Sequence, residues 1–137
     1  MLIKESKFSG GDGTEDNPYI ITTPAQLNLI RKDAYAFYEL GNDIDLTYDT
    51  TNENGLFYND GKGWEPIKYS NIRTYSETIS TSEGFSGGFN GNNYKIIGLN
   101  INRPDESVVG LFANTYNLNF SNLYIKNLVL ENPNIIG

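Results

Sequence analysis

The apolar residues of this chain fall in short runs, and the stretch 85–112, FSGGFNGNNYKIIGLNINRPDESVVGLF, sets the pattern for the rest. Phe85 and Phe89 lead into Gly91-Asn92-Asn93. Ile96, Ile97, Leu99 and Ile101 follow, with Asn100 and Asn102 at alternate positions. Arg103-Pro104-Asp105-Glu106 reads as a turn, and Val108-Val109-Gly110-Leu111-Phe112 as another strand. Gly and Asn tolerate positive φ and Pro pre-sets a corner, so β-rich runs punctuated by these residues predict strands joined by turns. Gly91 and Gly110 are structural positions in this pattern. The same grammar returns in Leu123-Tyr124-Ile125-Lys126-Asn127-Leu128-Val129-Leu130, a turn at Glu131-Asn132-Pro133-Asn134, and Ile135-Ile136-Gly137. Aligning Gly98-Leu99-Asn100-Ile101 with Asn127-Leu128-Val129-Leu130 gives an offset of 29 residues. A strand-and-turn repeat of that size predicts an all-β solenoid.

Upstream, Tyr19-Ile20-Ile21 predicts a short strand, and 22–31 the one clear helix. Thr23 fits the N-cap, Pro24 the first helical position and Gln26 the third, completing a capping box. Leu27 and Ile30 share a face with Ala34 one turn on. The first turn of a solenoid exposes its core end-on, and this amphipathic helix is expected to lid it. In Asp43-Ile44-Asp45-Leu46, strand alternation places the two aliphatics on one face and the two carboxylates on the other. Paired carboxylates are minimum equipment for a glycosidase or a lyase calcium site. Aspartates two apart on an edge strand also make a solvated face that deters pairing, and that structural reading is the one adopted here.

The segment 47–84 is the least regular, and Ile72, Tyr75 and Ile79 alternating with polar residues predict either a protruding hairpin or a disordered loop. Tyr58, Trp64, Tyr69 and Tyr75 make it the most aromatic polar region, and such rings can stack on sugars or anchor a protein partner. For Trp64 the competing reading is burial under the loop, the usual fate of a lone Trp.

Composition narrows the chemistry. A single domain of 137 residues is expected, divided into an N-terminal cap (1–46), an irregular or hairpin insertion (47–84) and solenoid turns (85–137). The net charge of −7 argues against nucleic acid and against docking on anionic lipid, and no run approaches a membrane-spanning length. With neither Cys nor His, disulfides, thiol nucleophiles, His-containing zinc sites and His-based triads are unavailable. Asp12, Glu15 and Asp16 invite calcium, although their spacing does not match an EF-hand loop and Asx-turns account for it more simply. No catalytic residues and no required cofactor are therefore expected, with calcium the one alternative. Nineteen asparagines gathered at turns can form side-chain amide ladders between stacked turns. The N-terminus shows no signal-peptide pattern, which leaves a segment of a longer secreted protein or a phage component as expectations.

The run F-x-G-x-F-x-G-N-x-x-x-I-x-x-L-x-I followed by V-G-L-F resembles the opening coil of bacterial surface proteins with GLUG-type repeats. The resemblance extends to Gly13-Thr14-Glu15-Asp16-Asn17-Pro18-Tyr19-Ile20-Ile21, Ala25-Gln26-Leu27, Asp43-Ile44-Asp45-Leu46 and Trp64-Glu65-Pro66-Ile67, and so covers about 8–137. Asn90 stands where that family commonly has Asp, and Tyr94 where it commonly has His. The resemblance implies a right-handed parallel β-helix, a type of segment also attached to zinc peptidases that cleave immunoglobulin A. It implies a non-catalytic adhesin-like module, extracellular on a bacterial surface or secreted. Its partners would be further coils or a second copy at an open C-terminal end, with a surface glycan or protein as ligand. A phage tail component and a polysaccharide lyase or glycosidase fragment are the alternatives.

Overall fold

The computed structural model describes residues 7–68, 70–75, 78–83, 85–113, 115 and 123–137. They form a mostly-β protein with strands β1 (Tyr19–Ile21), β2 (Phe37–Leu40), β3 (Ile44–Asp45), β4 (Ser70–Tyr75), β5 (Thr78–Glu83), β6 (Gly88–Asn90), β7 (Lys95–Ile97), β8 (Asn100–Asn102), β9 (Tyr124–Lys126), β10 (Val129–Glu131) and β11 (Asn134–Ile136). The helices are α1 (Pro24–Asn28) and α2 (Thr47–Thr51). Three ladders are wholly parallel, with strand orders β1-β2-β6-β9, β3-β7-β10 and β8-β11. The chain thus visits the same ladders in the same order on successive passes. Strands this short cannot stand alone, and each is held by its neighbours in the ladder and by the apolar row it adds to the core.

From β6 to β11 that row runs through the central residue of each strand, and in β2 and β3 it takes Tyr38 and Ile44. Tyr38, Phe89 and Ile125 share one ladder, Ile44, Ile96 and Leu130 the second, and Ile101 and Ile135 the third. Tyr38, Ile44, Phe89, Ile96 and Ile101 are buried, as alternation requires. The register corrects the 29-residue alignment, because Asn134 lies opposite Asn100, 34 residues earlier, and Ile125 opposite Phe89. Both aligned segments begin at a corner with a left-handed residue followed by Leu, Gly98-Leu99 (φ 68°) and Asn127-Leu128 (φ 54°). Gly98 lies between β7 and β8, whereas Asn127 lies between β9 and β10, one face earlier. The expected strand at 108–112 is also corrected. Only Phe112 forms a β-bridge, to Ile67, and 134–136 pair with 100–102. The single strand expected over 123–130 is two, broken at the Asn127 corner.

Asparagine takes the left-handed corners at Asn92, Asn93, Asn127 and Asn132. Side-chain amides also bond between passes, Asn134 Nδ2 to Asn100 Oδ1 at 2.9 Å and Asn127 Nδ2 to Asn90 Oδ1 at 3.2 Å. Gly91 acts through close approach: a Cβ there would stand 2.3 Å from the Asn127 carbonyl oxygen. At Gly110 the approach is less close, a Cβ there meeting the Phe112 carbonyl oxygen at 3.1 Å.

The helix expected over 22–31 is shorter, α1 passing into a 3-10 turn at Leu29–Lys32. Thr23 accepts the Gln26 N–H at 3.2 Å as its N-cap. The reciprocal half of the capping box is displaced by one residue: Gln26 Oε1 accepts the Thr22 N–H at 2.7 Å, and its amide also bonds Ser9 and the Lys7 carbonyl. Gln26 therefore ties the helix to the first segment of the chain. Leu27, Ile30 and Ala34 are fully buried in the core cluster. Replacing Thr23 by alanine removes one hydrogen bond at an exposed position, and chemical denaturation should register a loss of about 1 kcal/mol.

α2 is a second helix that the sequence pattern did not predict. Asp45 Oδ1 takes the Thr47 N–H at 2.9 Å, and the hydroxyls of Thr50 and Thr51 donate back to the Leu46 and Thr47 carbonyls. Between α2 and β6, β4 and β5 pair antiparallel from Ser70↔Glu83 to Tyr75↔Thr78, the hairpin alternative for this region.

Candidate functional site

Of the residues that sequence singled out for chemistry, Asp12, Asp43, Asp45 and Trp64 make structural contacts. At Asp12, one carboxylate oxygen accepts both the backbone N–H (3.0 Å) and the hydroxyl (2.6 Å) of Thr14. These bonds, the hydroxyl first, hold the Asp12 carboxyl below its ordinary value. The carboxylate closes the tight turn that precedes β1, as an Asx-turn does. Glu15 and Asp16 lie in the same turn segment. Among the described residues, no group of three or more His, Cys, Asp or Glu side chains could hold a metal ion.

Asp43 and Asp45 flank the buried Ile44 and both face outward, as the alternation predicts. Their roles differ from edge protection. Asp43 Oδ1 accepts the backbone N–H of Lys95 at 2.8 Å, joining one pass to the next, whereas Asp45 starts α2. The Thr47 side chain and then its N–H lower the Asp45 pKa. Each carboxylate thus accepts a bond from its own backbone N–H, that of Lys95 or of Thr47.

Trp64 is fully buried, which removes it from the binding candidates and supports the packing alternative. Its indole N–H donates to the Leu111 carbonyl at 3.2 Å, and Phe57 meets it edge-on at 5.2 Å. The Arg31 guanidinium lies 5.4 Å from its ring centroid and donates to the Glu65 carbonyl at 2.7 Å. Burial lowers the Arg31 pKa, against the pull of Glu65. Arg103 donates to the Trp64 carbonyl at 3.2 Å and pairs with Glu106 at 3.1 Å. Both arginines thus tie the loop around Trp64 to its neighbours. Nearby, a cavity of about 30 Å³ lined by Glu65, Pro66, Lys68, Glu106, Val108 and Ala113 has room for about one water. It cannot take a sugar ring. Tyr58 is half-buried beside this loop, Tyr69 lies outside the described residues, and of Tyr75 only the main chain is described.

The feature that sequence placed only in part is the end of the stack. β9, β10 and β11 are each the last strand of their ladder. Their inward residues Ile125, Leu130 and Ile135 are 37%, 37% and 41% exposed, while Phe89, Ile96 and Ile101 beneath them are at 0%. Ile125 completes this row, and Leu128 is partly buried against the core. Periodicity could have located the row once the correct register was known. The opposite end differs. There Ser9 N–H donates to the Ile20 carbonyl and Ile20 N–H to the Gly10 carbonyl, both at 2.9 Å, filling the outer edge of β1. The outer edge of β8 is likewise filled by Lys62 and Trp64, through the bonds Trp64 N to Asn100 O and Asn102 N to Lys62 O.

Among the described residues no helix is long and apolar enough to cross a membrane. No family model matches the chain, and no solved structure matches it. Over 111 residues, 79% of this chain, it is 40% identical to a protein of Evansella cellulosilytica described as a Gly-rich membrane protein. Over 130 residues, 93% of this chain, it is 37% identical to Halomucin of Haloquadratum walsbyi. The matched segments make up 11% and 1% of those two proteins, so the chain is similar to a small portion of each.

Proposed function

We propose that the chain is the capping and first-coil portion of a right-handed parallel β-solenoid of the GLUG-repeat kind, serving as a non-catalytic scaffold or adhesion module of a surface protein. The observation that carries this reading is the set of three parallel ladders revisited in order, with the outer edge of β1 filled by Ser9 and Gly10. Parallel crossovers are right-handed in nearly all proteins, which supports the right hand. The motifs from Phe85 to Phe112 support the family. The small share that the matched segments make of two much longer relatives supports a module within a larger chain. One relative is described as a membrane protein, which favours the cell surface or exterior over the cell interior. A rigid stack of this type presents flat outer faces and loops to a glycan or protein while its core does no chemistry.

A glycan array with the intact chain, followed by reducing-sugar and unsaturated-product assays with and without calcium, tests the reading. Binding without turnover, or no turnover of any polysaccharide offered, is expected. Product formation that disappears in Asp43→Asn or Asp45→Asn would replace the scaffold with a carbohydrate-active enzyme.

A further inference from the structure

The outer side of the ladder β1-β2-β6-β9 carries two aromatic rings that no sequence pattern singled out. Tyr38, Phe89 and Ile125 belong to the inward row. Alternation therefore turns Phe37, Gly88 and Tyr124 outward in one cross-strand row, and Glu39, Asn90 and Lys126 outward in the next. We infer that Phe37 and Tyr124 form a stacking platform for a neutral polysaccharide. The inference deepens the glycan-binding part of the function proposed above and rests on it.

Gly88 is what makes the platform. A Cβ there would stand 2.5 Å from Phe37 Cδ1 and 2.5 Å from Tyr124 Cζ, so both rings reach over this residue from the strands on either side. Their centroids lie 5.8 Å apart, with the planes at 49°. Gly88 has no left-handed φ, so its backbone does not call for glycine; the rings do. Both rings are half-buried and keep part of their surface in water. β2 and β6 have a parallel neighbour on each side, and this face lies at right angles to the direction in which passes stack. Further passes would lengthen the strip, not lie across it.

The surroundings select the ligand. The apolar strip is bordered by the Glu39 carboxylate, the Asn90 amide and the Lys126 ammonium, whose Nζ lies 4.8 Å from the Tyr124 centroid. Burial, and then the negative charges of Glu15 and Glu39, raise the Tyr124 pKa, which sets both carboxylates near the phenol. A sugar ring offers C–H groups to an aromatic face. Its hydroxyls donate to carboxylates and accept from ammonium and amide groups. An apolar protein surface or an acyl chain would strip water from these polar groups without replacing it. Two carboxylates to one ammonium, on a chain of net charge −7, disfavour a polyanionic glycan.

Affinity electrophoresis of the intact chain through gels containing laminarin, galactomannan, dextran or polygalacturonate tests this. At least one of the three neutral polymers should retard the chain, and polygalacturonate should not. Phe37→Leu and Tyr124→Leu each keep an apolar side chain over Gly88 and remove a ring, and each should weaken binding about tenfold. Tyr124→Phe keeps the ring and should bind like the parent. Tyr48→Ala is the control: Tyr48 is 59% exposed, lies on α2 beside β8, and its loss should change nothing. Far-UV circular dichroism and melting check the fold of each variant. In the parent, an oligomer of the retarding polymer should shift the ring-proton signals of Phe37 and Tyr124, a readout that needs no variant. An absence of retardation by every neutral polymer would overturn the inference in favour of a protein occupant. Retardation by polygalacturonate alone would overturn it in favour of an acidic glycan. Binding that folded leucine variants retain, or that leaves the ring signals unmoved, would overturn this site and leave a glycan-binding scaffold standing. Turnover lost in Asp43→Asn strikes that wider reading instead.

Discussion

Replacing Leu27 by aspartate is expected to destabilise the chain by about 4 kcal/mol or more, lowering the melting temperature by something on the order of 15 °C. Leu27 is fully buried in α1, in one core cluster with Ile21, Ile30, Leu40 and Ile44. A carboxylate there would be taken out of water inside an apolar cluster, and the ion pairs Lys95–Glu131 and Arg103–Glu106 lie on other parts of the fold. The contrast with Thr23→Ala is informative, since both lie on the same helix turn. One change removes an exposed cap bond, and the other breaks the cover that the helix lays over the first strands. Thermal melting within a degree or two of the parent would mean that α1 is not a lid.

Trp64→Ala is expected to cost about 3–5 kcal/mol, the range for deleting a large buried aromatic. More than cavity volume is at stake. The indole N–H donates to the Leu111 carbonyl, which also accepts the Ile67 N–H, and the ring packs on Phe57 and lies against Arg31, so its loss removes one of two bonds to that carbonyl and loosens the arginine that holds Glu65. Urea denaturation reads the effect, and a loss below about 1 kcal/mol would show that the Trp64 loop folds independently of the stack.

The features legible in the sequence were those fixed by a few adjacent residues. The outward Asp43 and Asp45 around buried Ile44, the Thr23 cap, the strand Tyr19–Ile21 and the asparagine corners all follow from local rules of alternation, capping and backbone freedom. Burial of Trp64 followed from its size. What escaped depends on residues far apart in sequence. The register between passes is set by how much chain each connection contains, and two corners of like grammar, Gly98-Leu99 and Asn127-Leu128, were not enough to fix it. The bond from Lys95 to Asp43 and the approach of Asn127 to Gly91 exist only once that register is chosen. α2 was missed because Thr-Tyr-Asp-Thr-Thr has weak helix propensity and is held by Asp45 and its own hydroxyls. Val108 to Phe112 misled in the other direction, since an apolar run bounded by turns satisfies the strand rule without having a ladder to join.

The observed register is the central claim, and a cysteine cross-link tests it most directly because the chain has no cysteine of its own. Asn100 and Asn134 are direct partners on adjacent parallel strands. Such strands run about 4.8 Å apart, within the Cα separation that a disulfide accepts. Under mild oxidation the double variant Asn100→Cys/Asn134→Cys should form an intramolecular disulfide, seen by mass spectrometry as the loss of two hydrogens. The pair Asn100→Cys/Val129→Cys, which a 29-residue repeat would bring together, should stay reduced, because Val129 pairs with Lys95 on a different ladder. Cross-linking of the second pair and not the first would contradict the stack.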